Sequence, residues 1–126
     1  MEKACCKSCG CEFAPDKKLT RDELVSEMGN RMTAVVRKAA WYRREGCSRL
    51  FEMAMVERRV FMDVIDVIKD AKTKAVLRGK LSALAYETHG YESLAQWGLV
   101  TLAENLYIEN SVYFMVCSYV EEMVDF

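Results

Sequence analysis

The sequence has a single proline, Pro15, and only six glycines among its 126 residues. Because proline interrupts helices and glycine weakens them, the chain after Pro15 is free to form long helices. No segment shows the period-2 alternation of apolar and polar residues that indicates a strand. A chain of this length is expected to form one core of its own. The expected fold class is therefore all-α, a bundle of four to five helices preceded by a short Cys-rich N-terminal knuckle.

Long apolar runs are also missing. The longest uncharged stretches, Ser93–Ala103 and Asn110–Val120, have 11 residues each, whereas a membrane span needs roughly 20. The N-terminus lacks the apolar segment of about 7–15 residues that marks a secretory signal. We therefore expect a soluble, cytoplasmic protein with no membrane partner. In a reducing compartment, clustered thiols favour metal binding or redox chemistry over disulfides.

Basic residues are absent from the last third of the chain. All 18 Lys and Arg lie at or before Lys80 together with 12 acidic residues, a net charge of +6, and residues 81–126 carry seven acids and no base, a net charge of −7. Two interpretations stay open. The halves neutralise each other across the bundle, or they form two faces with different partners.

Four of the six cysteines stand close together near the N-terminus: Cys5, Cys6, Cys9 and Cys11. The segment Cys6-Lys7-Ser8-Cys9-Gly10, followed by Phe13, looks like the first half of a small zinc ribbon, which is common in proteins of phages and mobile elements. The resemblance implies that Cys6 and Cys9 bind zinc and that Gly10 makes the turn. The second cysteine pair of that family does not follow. Cys5, Cys11, a second chain, Cys47 or His89 are candidates to complete the site. A mobile thiol-rich arm and a redox role are the alternatives.

Helical periodicity predicts segments at about 20–45, 47–70, 71–88, 91–105 and 106–124, behind a knuckle at 1–19. Thr20 and Glu23 form a capping-box pattern at the start of the first helix, and Gly46 is expected to end it. The third segment either continues the second or breaks near Gly79, and the fifth joins the fourth or begins anew. The resulting domains are residues 1–19, the knuckle or arm, and residues 20–126, the helical bundle.

Residues 19–38 are similar to a helix-turn-helix, with the turn at Gly29 and a second helix that carries Arg31, Arg37 and Lys38. In such domains the second helix enters the major groove of DNA. The same residues fit one continuous amphipathic helix, which we favour.

The basic excess is densest between Arg31 and Arg59, where eight bases accompany three acids. A basic stretch beside aromatic residues is typical of nucleic-acid binding. Trp41 and Tyr42 could stack on bases, although Trp41 taken singly is expected in the core. The candidate nucleic-acid-binding residues are Arg31, Arg37, Lys38, Arg43 and Arg44.

No catalytic or nucleotide-binding pattern is present in the sequence. His89 precedes a glycine, a position typical of the C-terminal end of a helix. We therefore expect a small non-enzymatic protein that associates with nucleic acid in a regulatory or accessory role. An alternative is an inhibitor or adaptor that presents its acidic C-terminal helices to a protein partner, with Glu104, Glu109, Glu121 and Glu122 as its contacts. A metal-handling or redox protein is the third interpretation, and both a homodimer and a monomer remain compatible with the sequence.

Overall fold

The computed structural model describes residues 4–5, 12–13 and 19–123, and it forms an all-α bundle. The helices are α1 (Arg21–Arg44), α2 (Ser48–Asp70), α3 (Lys74–Glu87), α4 (Tyr91–Gln96) and α5 (Val100–Met123). Two short strands, β1 (Ala4–Cys5) and β2 (Glu12–Phe13), pair in antiparallel register. The predicted all-α bundle is confirmed, whereas strands of two residues are too short to leave a periodic pattern in the sequence.

Helix α1 begins where its capping box predicts. The Glu23 amide donates to Thr20 Oγ1 at 3.2 Å, and the Thr20 amide donates to Glu23 Oε1 at 3.1 Å. The helix then continues through Gly29, which does not adopt a positive φ. The helix-turn-helix similarity at residues 19–38 is therefore wrong, because no turn separates two helices there, and the favoured continuous helix is confirmed.

Breaks between the helices follow local turn chemistry. Gly46 has φ +72° and lies between α1 and α2, where the first helix is predicted to end. The third helix starts later than expected, because Thr73 caps α3 by accepting from the Val76 amide at 3.2 Å, and it passes Gly79 without a break. Gly98, with φ +78°, separates α4 from α5. The predicted boundary at 105–106 is thus wrong, since the left-handed glycine sets the break earlier.

The long helices alternate in direction. Helix α1 packs on α2, α2 also packs on α5, and α3 packs mainly on α5. Arg49 of α2 contacts Glu104, and Arg59 contacts Glu109 further along both helices, so α2 and α5 run in the same direction. The short α4 packs on α5. Helix α5 packs on one flank of the α1–α2 hairpin through α2, and none of the other described helices packs over the opposite flank.

The core lies between α1, α2, α3 and α5. Its fully buried side chains are Leu24, Met28, Val60, Val64, Ile68, Leu77, Leu81, Val116 and Val120. The helical spacing of apolar residues predicts the core side of each helix, and it is confirmed for the fully buried Leu24, Met28, Val60, Val64, Ile68, Val116 and Val120. The same spacing predicts Trp97, Val100 and Leu102 on the core side of residues 91–105, and this prediction is wrong, because each is more than half exposed.

Candidate nucleic-acid interface

An open groove runs along the outer flank of the α1–α2 hairpin, with a volume of about 630 Å³. Helix α1 lines it with Val36, Arg37, Ala39, Ala40, Arg43 and Arg44. Helix α2 lines it with Phe51, Met55 and Arg58. We call this surface the arginine groove. It combines an apolar floor with four guanidinium groups.

Helical spacing explains how the groove forms. Phe51, Met55 and Arg58 follow at intervals of four and three residues, so they share one face of α2. On α1, Ala40 lies one turn beyond Val36 and carries only a methyl group. The small side chain leaves room between the helices where a larger one would fill the groove. Met55 is 36% exposed at the floor.

The arginines of the groove have no acidic partner among residues 19–121. No carboxylate of that range lies within 4.0 Å of the guanidinium groups of Arg37, Arg43, Arg44 or Arg58. An unpaired arginine offers its five N–H donors in a planar fork that matches phosphate or carboxylate oxygens. The groove therefore suits an anionic ligand that also has an apolar or flat portion.

Trp41 lies beside the groove on the outer face of α1. It follows Arg37 by four residues and precedes Arg44 by three, so the three side chains form one stripe. The indole is 51% exposed and meets the Tyr42 ring edge-on, with 5.6 Å between centroids. The expectation that Trp41 belongs to the core is wrong, because the buried face of α1 carries Val35 and Ala39 instead.

Two of the five predicted nucleic-acid-binding residues lie away from the groove. Arg31 Nε is 3.3 Å from Glu27 Oε1, and its guanidinium carbon lies 5.7 Å from the centroid of the Tyr119 ring. Lys38 Nζ is 3.6 Å from Glu57. Of the five predicted residues, Arg37, Arg43 and Arg44 line the arginine groove.

Three arginines that reach α5 are paired with carboxylates of that helix. Arg49 pairs with Glu104 at 3.3 Å, and Arg59 pairs with Glu109 at 2.8 Å. Arg78 pairs with Glu121 at 3.3 Å. Each pair joins a base from the positive half of the sequence to an acid from the negative half. The interpretation that the halves neutralise each other across the bundle is confirmed for these pairs.

Sequence reasoning missed the contribution of α2 to the groove. Phe51, Met55 and Arg58 carry the same helical spacing as an ordinary half-buried face. Only the packing of α1 against α2 brings them beside Arg37 and Arg44. The sequence shows that Arg58 follows Phe51 by seven residues. It does not show that the face they share packs beside α1.

The metal-binding prediction lies largely outside the described residues. Cys6, Cys9 and Cys11 are not among them, and Cys5 is described only as part of β1. Within the described part of the chain, no three His, Cys, Asp or Glu side chains converge on a point that could hold a metal ion. Zinc binding by the N-terminal cysteines stays a prediction.

The cysteines and the histidine of the bundle are not part of a metal-binding cluster. Cys47 and Cys117 are not disulfide-bonded. Burial raises the pKa of the Cys117 thiol, which keeps it protonated and a poor nucleophile at neutral pH. His89 follows the end of α3, where its Nδ1 contacts the carbonyl oxygen of Tyr86 and its ring lies 4.7 Å from that of Tyr86. This is the helix-end position expected from the sequence.

Within residues 19–123, the helices are either too short or too rich in polar residues to cross a bilayer. No family model matches the chain, and neither the curated proteins nor the solved structures include a significantly similar one.

Proposed function

We propose that this is a small, cytoplasmic, non-enzymatic protein that associates with nucleic acid in a regulatory or accessory role, and that the arginine groove binds a single-stranded segment. The observation that carries the proposal is the contrast among its arginines. Those facing α5 have carboxylate partners, whereas the four at the groove have none among residues 19–121.

The chemistry of the groove favours a single strand over a duplex. Arginine side chains bind phosphates, and their binding releases counterions. The apolar floor at Phe51 and Met55, together with the exposed Trp41, offers surfaces on which unpaired bases can stack or pack. Bases inside a duplex are already stacked, so a duplex could use the arginines but not the floor.

The alternative, an acidic surface that mimics nucleic acid, has less support from the arrangement of charges. Three of its four proposed contact residues, Glu104, Glu109 and Glu121, are engaged in ion pairs within the fold. A basic partner would have to displace Arg49, Arg59 and Arg78 before it could use them.

Fluorescence anisotropy with labelled single strands of DNA and RNA, and with a duplex of equal length, tests the proposal. If all four arginines contact phosphates, the logarithm of the association constant falls with the logarithm of salt concentration with a slope of about −3. We expect the single strands to bind more tightly than the duplex at every salt concentration.

Two variants of equal charge provide the matched control. One replaces Arg37, Arg43 and Arg44 by glutamine, and the other replaces Arg49, Arg59 and Arg78 by glutamine. The first is expected to weaken binding about 100-fold at moderate salt and to flatten the salt slope, and the second is expected to retain nearly full affinity. Circular dichroism confirms that both are folded. The proposal would be contradicted if the two variants lost affinity equally, if the association constant of the natural sequence did not depend on salt, or if none of the three probes bound. Tighter binding of the duplex would contradict the single-strand assignment.

A further inference from the structure

The arginine groove has two unlike ends. Helices α1 and α2 run in opposite directions, and Lys38 Nζ of α1 lies 3.6 Å from Glu57 of α2, so these two residues stand at the same level. One residue further along each helix, Arg37 and Arg58 therefore also share a level, and both line the groove. We call this part of the groove the doubly basic end, because each helix contributes a guanidinium group to it.

The other end of the groove lies beside the turn between α1 and α2. On α1, Arg44 follows Arg37 by seven residues. On α2, Phe51 precedes Arg58 by the same interval, so the two ends are roughly 10 Å apart along the helices. At this second end, arginines of α1 face an aromatic ring of α2 rather than another guanidinium. Between the ends, the groove is lined by apolar side chains alone.

The surface favours a ligand that extends from the groove in one direction only. A second cavity of about 480 Å³ adjoins the groove at the α1–α2 turn and shares Arg43 and Phe51 with it. In the opposite direction, the faces that form the groove carry Thr33 and Met62 one turn beyond the doubly basic end, and Asp66 one turn later. A phosphate chain that continued in that direction would pass a carboxylate and no basic residue for two turns.

We propose that the doubly basic end binds the terminal phosphate of a single strand, which then runs along the groove towards the α1–α2 turn. A terminal phosphate is a monoester with a charge of about −1.5 to −2 at neutral pH and three strong acceptor oxygens. A phosphate inside a strand carries a single charge. The inference rests on the proposed binding of a single strand, and it specifies which part of the strand the groove selects.

The arrangement of Arg37 and Arg58 matches the charge and the oxygens of a monoester. Each guanidinium presents a planar fork of N–H donors that can bind two phosphate oxygens. No carboxylate among residues 19–121 lies within 4.0 Å of either group, so both positive charges are available to a dianion. Both a 5′-phosphate and a 3′-phosphate have this chemistry.

The length of the groove is consistent with a strand that begins at this end. The roughly 10 Å between the two ends corresponds to about three nucleotides of a stacked strand, at about 3.4 Å for each nucleotide. The first bases then lie over the apolar floor, and later phosphates reach Arg43 and Arg44.

Competition anisotropy tests the proposal. Unlabelled strands of one sequence, which end in a 5′-phosphate, a 3′-phosphate or two hydroxyl groups, displace a labelled single strand. One phosphorylated strand is expected to bind about tenfold more tightly than the hydroxyl strand, and the result identifies the end that is bound. The other phosphorylated strand has the same charge and is the control for non-specific attraction. It should bind within about twofold of the hydroxyl strand.

Two variants of equal charge locate the preference on the protein. Arg58→Gln is expected to reduce the tenfold preference to less than about twofold. Arg44→Gln is expected to weaken the binding of all three strands by similar factors and to keep the preference, because Arg44 lies at the other end of the groove. Both replacements leave the core intact, and circular dichroism checks that the variants are folded.

The outcomes separate this inference from the proposed function. If the three strands bind equally well, or if both phosphorylated strands gain affinity equally, the terminal-phosphate inference is overturned while the binding of single strands stands. A preference that persists in Arg58→Gln would also overturn it, because the phosphate would then be bound elsewhere. If no strand binds, both proposals fail.

Discussion

Arg58 and Arg59 are neighbours in α2, yet their side chains serve opposite flanks of the α1–α2 hairpin. Arg59 reaches Glu109 of α5 at 2.8 Å. Arg58 lines the arginine groove, with no carboxylate of residues 19–121 within 4.0 Å. Successive residues of a helix point about 100° apart. The comparison shows that the flank a basic residue occupies, rather than its type or its place in a basic run, decides whether its charge is neutralised within the fold.

The apolar residues of the two flanks differ in the same way. On the inner flank, Val60 and Val64 of α2 are fully buried and hold the helices together. On the outer flank, Phe51 and Met55 are only partly covered, because none of the other described helices packs over them. The inner flank therefore contributes mainly to stability, whereas the outer flank keeps apolar surface available to a ligand.

The largest expected difference between the flanks is in stability, and two methionines provide a matched pair. Met28 is fully buried in α1, and Met55 is 36% exposed at the floor of the groove. Met28→Ala is expected to lower the free energy of unfolding by about 2–5 kcal/mol, since it leaves a cavity in the core. Met55→Ala should lower it by less than about 1 kcal/mol, because its surroundings are open to water.

Urea denaturation followed by circular dichroism measures both changes, with the slope of the transition as a check that the unfolded state is comparable. Equal losses for the two variants would mean that the floor of the groove is as tightly packed as the core. The distinction between the flanks would then fail.

The next largest effect concerns the two tryptophans. Trp41→Ala is expected to weaken the binding of a single strand about tenfold, because stacking on an aromatic side chain contributes about 1–3 kcal/mol per base. Trp97→Ala removes an indole that is 83% exposed and lies outside the groove, so the affinity should not change. Anisotropy titrations at one salt concentration measure both. If both variants lost affinity equally, the assignment of base stacking to Trp41 beside the groove would be contradicted.

The sequence predicts the parts of this molecule that depend on neighbouring residues. The capping box at Thr20 sets the start of α1, and the spacing of Val60, Val64 and Ile68 identifies the buried face of α2. The break at Gly98 was missed because a glycine inside an apolar stretch is compatible with both a helix and a turn. Which of the two forms depends on whether it adopts a positive φ.

The groove shows a second limit of sequence reasoning. Arg37, Arg43 and Arg44 were identified from their density, because basic residues close together on a helix leave a visible pattern. Arg58 and Met55 were not identified, since their proximity to these arginines exists only when α2 packs on α1. The exposure of Trp41 has the same origin, because only the packing decides which face of α1 the core takes.

The smallest expected effect returns to the neighbouring arginines. The Arg59–Glu109 pair is more than half exposed on the arginine side and 19% exposed on the glutamate side, so its coupling free energy should be about 0.2–1 kcal/mol. A double-mutant cycle with Arg59→Ala and Glu109→Ala, measured by urea denaturation at two salt concentrations, gives this value. It should decrease as salt screens the pair. Arg58→Ala is the control. This variant should leave the free energy of unfolding nearly unchanged and should weaken nucleic-acid binding. The opposite result would show that the two arginines are assigned to the wrong flanks.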